Sequence, residues 1–313
     1  MAILEGHYGH ARVAIMTIIE EEFKAVQREF QALYEIEDTG IYSPVAGEGG
    51  MEENGPVIHP FVVARANDRA TDPAGELPRD LYEYFSPEIF VLVGIAGGVQ
   101  REKVKRWKRD GTKEMEPKGP RPGDVVVAKF IHFYDYAKNV PSGRRLRYFA
   151  IDHPCSDLIA RHARTVGRGD LWKQAGGVKR PKRGTSTFWD EEIVVTNQLA
   201  GNPGSREQID MLATFDNAMA VEMESIGIAR ELHHLRKTVH YDPLWMCIRG
   251  ISDTVPAERP TIGGKDNTAE RERWKNYAAA VAASFARSVI ERILKYPRPG
   301  VEGDSGAPRW TFS

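Results

Sequence analysis

Apolar residues in this chain come in short, β-branched runs separated by stretches of helical spacing. Residues 13–19 (VAIMTII) have almost no polar face, which predicts a strand covered on both sides. From Glu20 to Tyr34 the spacing changes to Phe23, Val26, Phe30 and Leu33, one side of a helix. A second strand is predicted over 57–64 and a short helix over 77–85. A third strand, 89–93 (IFVLV), runs into a glycine-rich turn at 94–98. Further strands are predicted at 124–130, 185–188, 193–195, 218–221 and 244–251, with helices at 156–165 and 224–235. A closing helix over 276–294 carries Tyr277, Val281, Phe285 and Val289 four residues apart.

Strands apolar on both faces, alternating with helices, predict an α/β fold. The expectation is a single three-layer sandwich, with a central, mostly parallel mixed sheet flanked by helices. One catalytic domain is expected over 1–296. Residues 297–313, rich in Pro and Gly, are expected to form a disordered tail or linker. Two segments dense in Lys, Arg and Gly, 101–121 and 176–184 (GGVKRPKRG), are expected to be solvated basic insertions.

Composition removes several function classes. The 313 residues are 41% hydrophobic and 28% charged with a net charge of -1, which suits a globular domain with no general attraction for nucleic acid or anionic membranes. Despite the KRPKR run there is no nucleic-acid reader motif. Cys155 and Cys247 form no CxxC pair, so neither a disulfide framework nor a zinc site is expected, and a reducing compartment fits. Met1 to His10 lacks the basic-then-apolar order of a secretory signal, and no stretch of ~18 apolar residues occurs. The expectation is a soluble cytoplasmic protein without a membrane partner. No GxGxxG, P-loop, HExxH or GxSxG is present, so no metal and no cofactor is expected.

In open parallel sheets ligands bind beyond the C-terminal strand ends. Those ends carry carboxylates here: Glu20, Glu21 and Glu22 after the first strand, Glu222 and Glu224 after the strand at 218, and Asp253 beside Ser252 after the strand at 244. Each has a plain alternative. Acids in a first helical turn complement the macrodipole, and Ser252 with Asp253 can cap a turn. Glu222 and Glu224 flank Met223 in an apolar stretch, where an unpaired buried carboxylate is costly, so a ligand role is favoured for one of them. The GIAGG glycines allow either close backbone approach to a ligand or an ordinary tight turn.

The ordered set VAIMTIIEEEF, GIAGG, PGDVVVAKF, AVEMESIGIA and IRGISD resembles the nucleoside phosphorylase/nucleosidase superfamily over residues 12–295, and is most similar to its methylthioadenosine/S-adenosylhomocysteine nucleosidase branch. The resemblance implies hydrolysis of the N-glycosidic bond of a purine (adenine) nucleoside or nucleotide. It implies Glu22 as the residue activating water and Asp253 as the acid protonating purine N7. Glu224 would hold the ribose hydroxyls, with Met223 against the sugar and Glu222, Val221 and Ser252 adjoining. Ile95, Ala96 and Gly97 would lie along the base, with Phe188 or Trp189 stacked on it. A homo-oligomer is also implied.

Phosphorylases of the superfamily carry arginines after the first strand and before the glycine turn. Neither position has one here, and a phosphate dianion without arginine would be poorly held. Water is therefore the expected nucleophile, with phosphorolysis the alternative. A non-catalytic nucleotide-sensing domain is the other, since HFYDYAK is similar to nucleosidase-like domains of multidomain defence proteins. The chain departs from the branch at Ile95, normally a small or hydroxyl residue, and at GTSTFWDEE. The basic segments 101–121 and 176–184 are additional to the branch pattern. Their cations are candidates for holding a 5'-phosphate, against the alternative of simple solvated charge.

Overall fold

The computed structural model describes residues 9–31, 33–36, 39–44, 58–68, 71–141, 143–147, 157–198, 204–236, 241–258 and 267–295. In chain order the elements are β1 (His10–Thr17), α1 (Glu20–Phe30), β2 (Leu33–Ile36), β3 (Ile41–Pro44), β4 (Ile58–Arg65), α2 (Thr71–Phe85), β5 (Ile89–Trp107), β6 (Lys113–Lys118) and β7 (Val125–Phe133). There follow β8 (Ala137–Val140), β9 (Gly143–Leu146), α3 (Asp157–Gly167), a short 3-10 helix (Leu171–Gly177), β10 (Phe188–Val195), α4 (Arg206–Thr214), β11 (Ala218–Glu222), α5 (Ser225–Leu235), β12 (Leu244–Pro256) and α6 (Thr268–Leu294).

Ten strands share one sheet in the order β11-β10-β7-β12-β5-β1-β4-β3-β2, with β6 on the outer half of β5. Strands β4, β1, β5 and β12 run parallel, as do β7, β10 and β11; the two groups meet antiparallel at β12 and β7. The sheet curls until β11 also pairs with β5, Ala220 opposite Gly98 and Val221 opposite Gly97. Helices α1, α3 and α6 pack together on one side, and α2 and α5 on the other. This is the expected three-layer α/β sandwich.

The buried strands read correctly because covering both faces leaves no polar alternation. All of Val13, Ala14, Ile15 and Met16 are buried, as are Phe90, Val91, Leu92 and Val93. Several boundaries differ for identifiable reasons. The helix expected through Tyr34 ends at Phe30, where Gln31 adopts a φ of 46°; Leu33 instead begins an edge strand paired with β3. The turn expected at 94–98 does not form, because β5 continues through the glycines to Trp107. The 101–121 segment is not a loop but a β-hairpin, Val104 opposite Met115 and Trp107 opposite Lys113. The weak strands at 185–188 and 193–195 are one strand, β10. Helix α6 begins eight residues earlier than expected, since its first turns are charged and hid the helical spacing. The 297–313 segment lies outside the described residues. Among the described residues no helix is long and apolar enough to cross a membrane.

Candidate functional site

The central parallel strands, the β11–α5 junction and the start of α6 enclose a cavity of about 250 Å³. Ile95, Ala96 and Gly97 line it from β5. Val221, Glu222, Met223 and Glu224 reach it from the β11–α5 junction, and Ser252 and Asp253 from β12. Nine residues singled out in the sequence therefore share one cavity, although 158 positions separate the first from the last. Gly97 is required by packing: a β-carbon there would collide with Val255 Cγ2.

The two carboxylates of VEME divide their work. Glu222 points back into the start of α5: Oε1 accepts from Ser225 Oγ at 2.5 Å, and Oε2 from the backbone N–H of Glu224 at 3.0 Å and of Ser225 at 3.1 Å. It thus serves orphan donors of the first helical turn. Glu224 retains 13% side-chain exposure, against 1% for Glu222, and is the carboxylate open to the cavity.

Between them sits Arg249, fully buried, a residue of IRGISD to which sequence reasoning gave no role. Its Nη2 donates to Glu222 Oε2 and, at 3.3 Å, to Glu224 Oε2. Burial opposes its charge, but Glu222, Cys247 and Glu224 more than compensate, so the guanidinium is held above its ordinary range. A buried carboxylate pair without a cation would be prohibitive, and that was the available signal for an arginine here. Burial pushes Glu224 up to about 8, with Arg249 pulling the other way and Glu222 and Glu22 adding to the rise.

Glu22, expected to activate water, is not among the residues that line the cavity. It is buried at the start of α1; Oε2 accepts the N–H groups of Ile18 (2.9 Å) and Ile19 (3.0 Å), while Oε1 accepts that of Ile95 (2.8 Å). The acid thus clamps β5 from behind the cavity wall. Burial raises its pKa, opposed by Arg249 and these backbone donors.

Asp253 is held on both oxygens. Ser252 Oγ donates to Oδ1 at 2.5 Å, and Asn267 Nδ2 to Oδ2 at 2.7 Å. Burial raises its pKa above the ordinary aspartate value, with Ser252 and Arg271 opposing the shift. Asn267, with Thr268, Arg271 and Glu272, lines the cavity from the beginning of α6, and Gln198 lines it as well. None of these five was found in the sequence, because their segments carry no apolar periodicity or motif.

Phe188 and Trp189 are not brought to the cavity, which corrects the expectation that one of them stacks on a base. Phe188 opens β10, whose last residue, Val195, is the one paired with Glu222; seven residues at ~3.3 Å each put about 23 Å between them. The Phe188 ring stacks on Phe285 of α6, with centroids 5.3 Å apart. Trp189 Nε1 donates to Asp124 Oδ2 at 3.2 Å. The strand direction explains the error: the cavity meets the C-terminal end of β10, and the aromatic pair sits at its beginning.

The basic segments are also partly structural. Arg101 donates to the carbonyls of Ala218, Phe215 and Leu212 at 2.5, 3.0 and 3.3 Å. Arg106 and Lys105 face Glu114. These cations are not among the residues lining the cavity.

No protein-family model and no curated protein matches the sequence. Solved structures do. A methylthioadenosine/S-adenosylhomocysteine nucleosidase from Colwellia psychrerythraea in complex with adenine superposes with a TM-score of 0.62 at 15% identity, covering 91% of this chain and 96% of that one. The corresponding nucleosidase from Neisseria meningitidis in complex with methylthio-immucillin-A gives 0.58 at 17% identity, over 90% and 98%. The futalosine hydrolase of Helicobacter pylori gives 0.59 at 13% identity, over 90% and 98%. The chain has the fold of these proteins.

Proposed function

We propose that this protein hydrolyses the N-glycosidic bond of a purine nucleoside or nucleotide, releasing the free base. One observation carries the reading: a buried aspartic acid with a raised pKa, oriented on both oxygens, opens into the same cavity as a carboxylate–guanidinium group. The likeness in fold to nucleosidases in complex with adenine and with methylthio-immucillin-A supports it.

Departing purine is a poor leaving group until N7 is protonated, and the sugar becomes oxocarbenium-like as the bond lengthens. Burial makes Asp253 hold its proton more tightly than an ordinary aspartate, the direction a general acid needs. Ser252 and Asn267 fix its direction. Glu224, in the same cavity and next to Arg249, takes the ribose hydroxyls; with a pKa pushed up to about 8 it both donates and accepts hydrogen bonds at neutral pH. Glu22 Oε1 accepts one backbone donor, the Ile95 N–H, and keeps a lone pair to orient the attacking water. The carboxylates near the anomeric carbon offset its developing positive charge.

Water is favoured over phosphate because Arg249 is already engaged by Glu222 and Glu224, and Arg271, the other arginine lining the cavity, acts on Asp253. The test is incubation with methylthioadenosine, adenosine, AMP and ATP in phosphate-free buffer, following free adenine. Release without phosphate supports hydrolysis; release only with phosphate makes the enzyme a phosphorylase; no release from any of them defeats the catalytic reading in favour of a nucleotide-sensing domain.

A further inference from the structure

The two basic segments additional to the nucleosidase pattern meet. The β5–β6 hairpin and the loop after the 3-10 helix form the walls of a groove of about 960 Å³, the right size for a nucleotide-like ligand. The groove is separate from the cavity. Along β12, Asp253 and Val255 face the cavity while Thr254 and Pro256 face the groove; on α6, Arg271 and Glu272 face the cavity while Glu270 and Trp274 face the groove.

Its basic loop is built in rather than draped over the surface. Arg180 donates to Ser186 Oγ at 2.9 Å and to the Pro122 carbonyl at 3.1 Å, and lies over the rings of Trp274 and Tyr277 at 5.1 and 5.4 Å. This anchoring brings Lys182 and Arg183 to the same groove as Lys118 and Arg121, from two separate chain segments. Among the described residues none of these four side chains has an ion-pair partner.

The acids nearby are largely spent. Asp124 accepts from the Arg121 and Thr187 N–H groups and from Trp189 Nε1; Glu270 accepts from Thr254 N–H at 2.8 Å. Glu116 lies 3.9 Å from Lys105, and Glu258 faces Arg101. Six cations (Arg101, Lys118, Arg121, Arg180, Lys182 and Arg183) line the groove with five carboxylates, and of those five Glu102 alone has none of these contacts. Trp189, half-buried, adds an aromatic surface to the same groove.

We infer that this groove is a second binding site, for a small ligand bearing two or more phosphate groups. Converging, unpaired Lys and Arg side chains suit phosphate oxygens, and an aromatic wall suits a base if one is attached. The proposal does not depend on the hydrolase reading.

The experiment is titration of the full chain with inorganic tripolyphosphate and with ATP, read by tryptophan fluorescence and calorimetry at two salt concentrations. Saturable, salt-weakened binding of tripolyphosphate is expected. The double variant Lys182→Glu/Arg183→Glu should weaken it at least tenfold, with an unchanged melting temperature and unchanged nucleosidase turnover. Arg121→Glu, from the other segment, should weaken it similarly. Binding of ATP more tightly than tripolyphosphate identifies a nucleotide, and equal binding a free polyphosphate. Absence of saturation at millimolar tripolyphosphate overturns the proposal. So does undiminished affinity in both variants, or tighter, length-dependent binding of single-stranded oligonucleotides, which would make the groove a nucleic-acid track.

Discussion

Gly94 exists as glycine because Arg249 occupies the place of its side chain. A β-carbon on residue 94 would fall on Arg249 Nη1 and within 2.8 Å of Glu22 Oε1. One missing side chain on β5 therefore lets a buried guanidinium pass between a carboxylate from α1 and two from the β11–α5 junction. Gly94→Ala should displace Arg249, lower stability by about 1–3 kcal/mol as overpacking does, and cut kcat at least tenfold. Denaturant titration and single-turnover rates check this; unaltered turnover would mean that Arg249 is not needed in place.

Arg249→Met tests the charge itself. It leaves Glu222 and Glu224 buried without their cation, a loss of about 3–5 kcal/mol when one partner of a buried pair is removed. Urea unfolding should show this directly, and adding Glu222→Gln to the variant should recover part of it.

Asp253→Asn keeps the shape of the side chain and removes the acid. Ligand affinity should change little while kcat drops about 100- to 10,000-fold, the usual contribution of a general acid. Near-normal turnover in this variant would remove Asp253 from the mechanism.

Glu224 makes stability depend on pH with a definite sign. Its pKa rises from 4.5 to about 8 on folding, so the native protein binds more protons than the unfolded chain between those values. The stabilisation from this group is complete below 4.5 and is lost as pH rises through 8. Glu22 and Asp253 shift in the same direction. The urea midpoint should therefore fall between pH 5 and 8, and fall less steeply in Glu224→Gln.

Phe188→Ala separates packing from base recognition. Its ring lies on Phe285, so truncation should cost on the order of 2 kcal/mol, below the ~3–5 of a fully buried phenylalanine. KM for any accepted nucleoside should stay within twofold, whereas a base-stacking residue would raise it strongly.

Much of the molecule is legible without coordinates. Runs such as VAIMTII and IFVLV have to be covered on both faces, and that requirement alone yields a sheet between helix layers. The carboxylates of VEME and ISD fall where the apolar runs end, and Ile95 to Gly97, Val221 to Glu224, and Ser252 with Asp253 do meet at one cavity, although β5 and β12 continue past it. Local sequence specified these because each depends on burial or on a strand terminus, both properties of a few neighbouring residues.

What only the tertiary structure decided are relations between distant segments. Arg249 looks like any residue in a strand until Glu222 and Glu224 are placed beside it. Asn267 and Arg271 reach the cavity because α6 starts there, in a charged turn with no apolar rhythm. Phe188 suggested base stacking by its place in the motif order, yet the direction of β10 carries it into the core. Glu22 is a clamp on β5 because Ile18, Ile19 and Ile95 offer their N–H groups to it. Hydrophobic patterning encodes which face of an element is buried, but not which charged or polar group another element will set against it.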